Sequence, residues 1–219
     1  MLITLLGLRI KETAMEVEGG ALRVLADSLP SSDKRTTTTV KLTQKADHYV
    51  GKLLKSLQEG QTVLAIGPSK AQTEDQVIEM QPMLVVSEKN FDDLLAINIF
   101  MACGGLGPKP EEKEVGESTV TNRSIAWQSP DKENPETRWT KLTAWNENSK
   151  QLAELPNGTP TIAVGRISTS EKGENKYLNY SVDQVLYLPK GTKSAPNKAS
   201  DPEKNQVNAA ALGSINFTL

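Results

Sequence analysis

The chain of 219 residues contains two matched blocks about a hundred positions apart, and this repeat limits the possible folds more than any other feature. Residues 41–43 (KLT) recur at 141–143, and residues 60–67 (GQTVLAIG) recur in altered form at 158–165 (GTPTIAVG). Repeats of solenoid proteins are only about 20–50 residues long. Short blocks can match by chance, but here order and spacing agree together. We therefore interpret the pattern as the duplication of a whole small domain.

Composition places the chain among globular proteins and restricts its partners. It is 37% hydrophobic and 24% charged, and no apolar run approaches the roughly 20 residues that a membrane-spanning helix needs. The single cysteine, Cys103, cannot form an internal disulfide, which fits a reducing cytoplasm. A net charge of −2 gives no support for duplex DNA binding, although it leaves room for a local basic groove.

Copy one, residues 1–90, is predicted to contain five strands and one helix. The strands are expected at residues 2–9, 21–29, 36–43, 62–66 and 77–86. The threonine run that opens the third strand could instead form a polar loop. Apolar residues at helical spacing predict a helix over residues 49–57, with Tyr49 as a core contact. Pro82 should place the last strand at a sheet edge or break it.

Copy two, residues 91–190, has the same predicted order of elements. Its strands are expected at residues 97–102, 118–127, 138–145, 161–167 and 178–188. A short helix is predicted over 148–155, and the glycine-rich segment 104–110 is predicted to be a tight loop. A polar hairpin loop is expected over 168–176. Residues 191–219 are poor in apolar side chains until their end and are predicted to form a flexible C-terminal tail.

Five short strands with a helix between the third and the fourth predict a small barrel in each copy. The OB-fold, a five-stranded Greek-key barrel, is the commonest barrel with a helix in that position. The predicted fold class is therefore all-β, with two tandem OB-fold domains and a flexible tail.

All three tryptophans of the chain, Trp127, Trp139 and Trp145, fall within 19 residues of copy two. Side chains alternate between the two faces of a strand, so Trp139 and Trp145 share one face. The inward set is predicted to be Thr140, Leu142 and Ala144, and the outward set Trp139, Lys141, Thr143 and Trp145.

Two tryptophans that flank a lysine on a solvated face are costly unless they contact something. Single-stranded nucleic acid fits this pattern, because its bases stack on aromatic rings while basic groups contact its phosphates. Strand parity alone leaves a second interpretation open, in which the rings are buried in the core or in a protein interface.

Four segments of copy two resemble, in the right order, the bacterial single-stranded DNA-binding protein (SSB) family. They are residues 106–113 (LGPKPEEK), 124–127 (SIAW), 136–139 (ETRW) followed by Trp145, and 161–167 (TIAVGRI). The resemblance covers roughly residues 97–188. It implies an OB-fold, with base stacking on Trp127, Trp139 and Trp145. It also implies phosphate contacts from Arg123, Arg138, Lys141 and Arg166 of copy two. Copy one is expected either to bind nucleic acid weakly, through Arg35, Lys41 and the threonine run, or to act mainly in assembly.

The same resemblance implies the partners of the chain and its place in the cell. It predicts sequence-independent binding of single-stranded DNA in replication, recombination or repair, by a nucleoid-associated cytoplasmic protein. Members of the family generally present four OB-folds, so a chain with two is expected to form a homodimer. Lys109 stands where the family has an aspartate, and residues 213–219 lack the family's acidic tip, which puts partner recruitment through such a tip in doubt.

No catalytic motif is found in the sequence. It contains no P-loop, no nucleophile elbow and no metal-ligand spacing, and one histidine with one cysteine excludes most histidine-based nucleophilic arrangements. We therefore expect a protein that is not an enzyme and that needs no cofactor or metal. The alternative function is an OB-fold assembly module, with its tryptophans buried in an interface.

Overall fold

The computed structural model describes residues 1–29, 37–72, 77–87, 96–110, 112–129, 135–173 and 175–188 of the chain. The secondary structure of these residues is mainly β, as the sequence predicts. Within the described residues, no helix is both long enough and apolar enough to cross a membrane.

Twelve strands and two helices follow one another along the described parts of the chain. The first half contains β1 (Leu2–Val17), a 3-10 turn (Glu18–Gly20), β2 (Ala21–Ser28), β3 (Thr39–Lys45), α1 (Tyr49–Ser56), β4 (Thr62–Gln72), β5 (Val77–Met80) and β6 (Leu84–Val86). The second half contains β7 (Asn98–Leu106), β8 (Glu112–Val115), β9 (Ser118–Gln128), β10 (Thr137–Trp145), α2 (Asn146–Glu154), β11 (Pro160–Lys172) and β12 (Asn175–Tyr187).

Strands β1 to β5 close into a barrel. β1 pairs with β2, β2 with β3, β3 with β5, β5 with β4, and β4 again with β1. In this barrel the pairing of β3 with β5 is parallel and the other pairings are antiparallel, and α1 connects β3 to β4. Five strands in this order, with the helix after the third, form the Greek-key barrel of the OB-fold.

The second half repeats this barrel. β7 pairs with β9, β9 with β10, β10 in parallel with β12, β12 with β11, and β11 with β7. α2 connects β10 to β11, as α1 connects β3 to β4. The short strand β8 is additional and pairs with β9. The chain therefore folds as two tandem OB-folds, as predicted.

One backbone ladder joins the two barrels. β1 pairs antiparallel with β7, and the central pair places Thr4 opposite Phe100. Because β1 also pairs with β4 and β7 also pairs with β11, one continuous sheet runs through both barrels. A side-chain hydrogen bond between the hydroxyls of Thr38 and Thr169 adds a second link.

The repeated blocks end in glycines that have the same structural role. An added Cβ at Gly67 of β4 would lie 2.2 Å from the carbonyl oxygen of Gln81, and at Gly165 of β11 it would lie 1.9 Å from that of Ser181. These distances are far below van der Waals contact, so only glycine fits where each strand passes the neighbouring backbone. The glycine that ends each repeated block is therefore required for the packing of both barrels.

The glycine-rich segment 104–110 is predicted to be a loop, and for its first residues this prediction is wrong. Gly104, Gly105 and Leu106 belong to β7, and the last two of them pair with β9. An added Cβ at Gly104 would lie 1.9 Å from the carbonyl oxygen of Ala126, so this glycine allows the two strands to approach closely. In the sequence these glycines indicate a turn, whereas in the structure they belong to a strand of the second barrel.

Two further predictions differ from the structure, and for a third the structure shows one of two predicted alternatives. Strands β11 and β12 extend through the polar segment predicted as a hairpin loop. Pro82 breaks the predicted last strand of copy one into β5 and β6, which is one of the two predicted alternatives. Tyr49 is not a core contact, since its side chain is 60% exposed and its hydroxyl donates to the carbonyl oxygen of Met83. The predicted domain boundary near residue 90 and the tail 191–219 lie outside the described residues.

Replacing Gly165 with Ala should destabilise the protein by about 2–3 kcal/mol, because overpacking of this kind typically costs about 1–3 kcal/mol. Urea unfolding followed by circular dichroism would measure the change. Gly105→Ala is the matched control, since its added Cβ would have no neighbour closer than 3.8 Å. Equal stability of the two variants would contradict the role assigned to Gly165.

Candidate nucleic-acid interface

The outer face of β10 carries the predicted outward set of side chains. Trp139 is 58% exposed and Trp145 is 42% exposed, and Lys141 between them is also exposed. The inward set, Thr140, Leu142 and Ala144, is buried. At a rise of about 3.4 Å per residue, the two tryptophans stand about 20 Å apart along the strand. The strand parity predicted from sequence is confirmed.

The surroundings of this face keep its side chains in place. Gly107, just after β7, lies under Trp139, because an added Cβ there would be 3.2 Å from the ring atom Cζ3. Thr143 donates a hydrogen bond of 2.9 Å to Oδ1 of Asn122 on the neighbouring strand. Asn146, with a φ of 53°, begins α2 directly after Trp145. The backbone changes its course there, so the second ring lies at the end of the strand.

Trp127 is predicted to stack bases, but its position corrects this expectation. Its side chain is only 6% exposed and belongs to the hydrophobic core. Its Nε1 donates a hydrogen bond of 3.0 Å to Oγ1 of Thr140. The guanidinium carbon of Arg138 lies 5.6 Å from the centroid of the ring, a distance at which a cation and an aromatic face attract each other.

Arg123 is predicted to contact phosphate, and its burial contradicts this prediction. The side chain is 2% exposed. Its Nε and Nη2 donate to the carbonyl oxygen of Gly107 at 3.2 and 2.8 Å, and its Nη1 donates to those of Leu152 and Leu155 at 2.6 and 2.7 Å. Burial lowers the pKa of this guanidinium.

The buried charge of Arg123 lies where the fold can stabilise it. Leu152 and Leu155 are at the C-terminal end of α2, where unpaired carbonyls carry partial negative charge. The side chain therefore fixes the end of α2 to the segment at Gly107, beneath Trp139. Arg123 is a positioning residue rather than a surface contact.

The remaining predicted cations of copy two differ in whether an acidic side chain neutralises them. Nη2 of Arg138 lies 3.3 Å from Oε2 of Glu136, and Nε of Arg166 lies 2.9 Å from Oδ2 of Asp183. The hydrogen bond to Asp183 raises the pKa of Arg166. For Lys141, the described part of the chain offers no ion pair. Lys141 is therefore the least neutralised of these three cations.

Copy one presents different side chains at the equivalent positions. Leu42 pairs with Val24 of β2 as Leu142 pairs with Arg123 of β9, so Thr39 and Lys45 take the places of Trp139 and Trp145. Lys41 occupies the place of Lys141 and is half-buried. Arg35 lies outside the described residues.

An apolar sheet face crosses both barrels, and the sequence reasoning missed it. The side chains concerned alternate with the core residues of the joined strands β4, β1, β7, β11 and β12. They are Leu64, Ile66, Ile3, Leu5, Ile99, Met101, Cys103, Ile162, Val164 and Leu186, all half-buried or exposed. In the sequence this face is indicated by residues 2–8, where apolar residues occupy both the inward and the outward positions of a strand.

Among the residues with a described position, no group of three or more His, Cys, Asp or Glu side chains could hold a metal ion.

Comparisons with known proteins agree with the fold. No protein-family model and no curated protein matches the chain. The structure is similar to that of the wild-type single-stranded DNA binding protein from Thermus aquaticus, with a TM-score of 0.63 and 15% identity over 89% of this chain and 95% of that chain. It is also similar to a deletion mutant of the Thermus aquaticus protein, with a TM-score of 0.61 and 14% identity over 93% and 97% of the two chains. At this identity, the similarity establishes the fold.

Replacing Arg123 with Met should destabilise the protein by several kcal/mol, because each buried carbonyl left without a donor costs about 1–3 kcal/mol. Urea unfolding would measure the loss. Arg138→Met is the matched control and should change stability by less than about 1 kcal/mol, since exposed ion pairs contribute little. An Arg123→Met variant with normal stability but weaker strand binding would instead indicate that Arg123 contacts phosphate.

Proposed function

We propose that this chain binds single-stranded DNA without strong sequence preference and is not an enzyme. The observation that carries the proposal is the outer face of β10, where two exposed tryptophans flank an exposed lysine. The similarity of the fold to that of the Thermus aquaticus single-stranded DNA binding proteins supports it. Such a protein would protect single strands during replication, recombination or repair, on the nucleoid in the cytoplasm.

The tryptophans supply the part of binding that does not depend on charge. A ring that stands free in solvent can accept a base on its face, and base stacking on an aromatic ring is worth about 1–3 kcal/mol. Trp139 and Trp145 stand far enough apart to stack different nucleotides of one strand. Because every base has an aromatic face, this mode of binding tolerates any sequence.

Basic side chains near the rings supply the phosphate contacts. Lys141 lies between the two tryptophans, and Arg138 precedes the first of them. Arg166 is a weaker candidate, since its guanidinium is already hydrogen-bonded to Asp183. Each phosphate contact releases condensed counterions, so affinity should fall as the salt concentration rises.

The double variant Trp139→Ala, Trp145→Ala should bind oligo-dT more than tenfold more weakly than the wild type, because both stacking platforms are removed. Fluorescence anisotropy of a labelled oligo-dT strand would measure the affinity, with circular dichroism to show that the variant is folded. The matched control is Tyr49→Ala, which removes an equally exposed ring on α1 and should leave the affinity unchanged. Wild-type affinity in a folded double variant would exclude the tryptophan site.

The alternative function is an assembly module in which the two tryptophans are buried against another protein. Their exposure in the single chain is compatible with either function. Titration of the wild type with oligo-dT separates the two, because stacked bases quench tryptophan fluorescence. Strong quenching that weakens with salt favours nucleic acid, whereas rings that are already protected from acrylamide, and that oligo-dT does not quench, favour assembly.

We further propose that the functional unit is a homodimer with four OB-folds, formed through the apolar sheet face defined above. Contiguous exposed apolar patches are rare on monomers and indicate interaction sites. This face spans the joined strands of both barrels, and at its centre Leu5 and Ile99 lie opposite each other. A second copy offers the same apolar surface, so each chain can cover the other.

Replacing Ile99 with Glu should convert the proposed dimer to a monomer, because burying an unpaired carboxylate in an apolar interface is strongly unfavourable. Sedimentation velocity would report the mass of the wild type and of the variant. Val115→Glu changes an exposed apolar residue on β8, outside this face, and is the matched control. A wild type that sediments as a monomer, or an Ile99→Glu variant that remains a dimer, would contradict this interface.

A further inference from the structure

The exposed ring of Trp139 lies against a backbone position that has no side chain, Gly107. A Cβ added at Gly107 would be 3.2 Å from Cζ3 of Trp139 and 3.1 Å from the carbonyl oxygen of Ser124 on β9. Carbon atoms that are not bonded to each other are best separated by about 3.5–4.0 Å. The ring can therefore keep its present position only while residue 107 is a glycine.

The backbone of Gly107 is held by hydrogen bonds at both of its polar groups. Its N–H donates a hydrogen bond of 2.8 Å to the carbonyl oxygen of Ser124. Its carbonyl oxygen accepts hydrogen bonds from Nε and Nη2 of the buried Arg123, at 3.2 and 2.8 Å. Hydrogen bonds to charged groups are among the stronger ones in proteins. Residue 107 therefore cannot move away from the ring without breaking them.

Of the two neighbours that a methyl group at residue 107 would meet, only the ring is free to move. The carbonyl of Ser124 belongs to β9, which pairs with β10 along the whole length of that strand. Trp139 is an exposed side chain. The φ of Gly107 lies outside the left-handed region, so its backbone conformation suits alanine. An alanine at this position should therefore displace the ring and leave the barrel intact.

Copy one offers an internal comparison, because its equivalent position carries a side chain. Ile10 and Leu106 are equivalent, since each exchanges two backbone hydrogen bonds with the first two residues of its own repeated block. The next residue is Lys11 in copy one and Gly107 in copy two. The first barrel closes with a lysine at this position, so closure of the barrel does not require a glycine there.

The residues around this position also differ between the copies. Thr39 takes the place of Trp139, so copy one has no ring to accommodate beside Lys11. Val24 takes the place of Arg123, so copy one has no guanidinium that could hold the backbone. The glycine, the arginine and the tryptophan thus occur together in copy two, and all three are replaced in copy one.

We propose that Gly107 is a positioning residue for base stacking, and that its backbone, fixed by Arg123, sets the position in which Trp139 meets a base. The inference rests on the proposed function and assigns a part in it to two residues that act through the ring. A ring that is already held costs less to immobilise when a base stacks on it, because less side-chain freedom is lost on binding.

The test measures the affinity for oligo-dT, by fluorescence anisotropy of the labelled strand, in two single variants and their combination. Gly107→Ala should bind about fivefold more weakly than the wild type, since one stacked base is worth about fivefold or more in affinity. Trp139→Ala should bind at least as weakly as Gly107→Ala. Because the alanine acts only through the ring, adding Gly107→Ala to Trp139→Ala should change the affinity by less than about twofold.

Two further measurements separate a positioning role from a merely structural one. The slope of log K against log salt should be the same in Gly107→Ala as in the wild type, because the substitution alters no phosphate contact. Urea unfolding of Gly107→Ala should resemble that of the wild type, because the ring and not the barrel takes up the methyl group. Gly105→Ala is the matched control and should keep wild-type affinity, since its added Cβ would have no neighbour closer than 3.8 Å.

The outcomes distinguish this proposal from the proposed function. A wild type that does not bind oligo-dT, or a Trp139→Ala variant with wild-type affinity, contradicts stacking on Trp139 and the role of Gly107 with it. Weaker binding by Trp139→Ala together with wild-type affinity of Gly107→Ala overturns the role of Gly107 alone. That role is also overturned if Gly107→Ala weakens binding further in the Trp139→Ala background, changes the salt slope, or unfolds the protein.

Discussion

The backbone pairing of β1 is the interaction on which the rest of the structure depends. Its N-terminal half pairs on one side with β4, which closes the first barrel, and on the other side with β7, which joins the second. Because both edges of the strand are used there, neither edge is left to attract another chain. The core face of β1 is apolar, and Ile3 and Leu5 continue the apolar surface on its opposite face, which is why its sequence does not alternate.

Prediction from the sequence is most accurate where the alternation of side chains along a strand is enough to determine which of them are exposed. The alternation along β10 predicts the exposure of Trp139 and Trp145 correctly, because alternate residues of a regular strand face the same side of the sheet. Arg123 and Trp127 share the parity of the buried Ile125, so the same rule assigns them to the inside. The family resemblance assigned them to the surface, and the strand period was the better guide. The hydrogen bonds that allow Arg123 to be buried come from α2 and the segment after β7, which are distant in sequence.

The two copies kept the residues that close the barrel and changed those on the outer face. Gly67 and Gly165 are equivalent because any side chain would overlap a neighbouring backbone carbonyl. No such constraint acts on the outer face, where Thr39 and Lys45 of copy one correspond to two tryptophans of copy two. A repeat detected through framework residues therefore reports the fold of both copies, and it does not report a shared binding chemistry.

Net charge is a poor guide to the partners of this chain, because its charges are arranged unevenly. In copy two, Glu136 pairs with Arg138 and Asp183 pairs with Arg166, so two of its basic side chains are locally neutralised. Between the two barrels, one groove is lined by Arg23, Lys41, Lys45, Lys70, Arg138 and Glu79. Two of these cations are ion-paired, Lys70 with Glu79 and Arg138 with Glu136. Charges act mainly over about 8 Å at physiological salt, so acidic residues elsewhere on the surface do little to offset a local cluster. The chain therefore has a local excess of basic side chains, although it is slightly acidic as a whole.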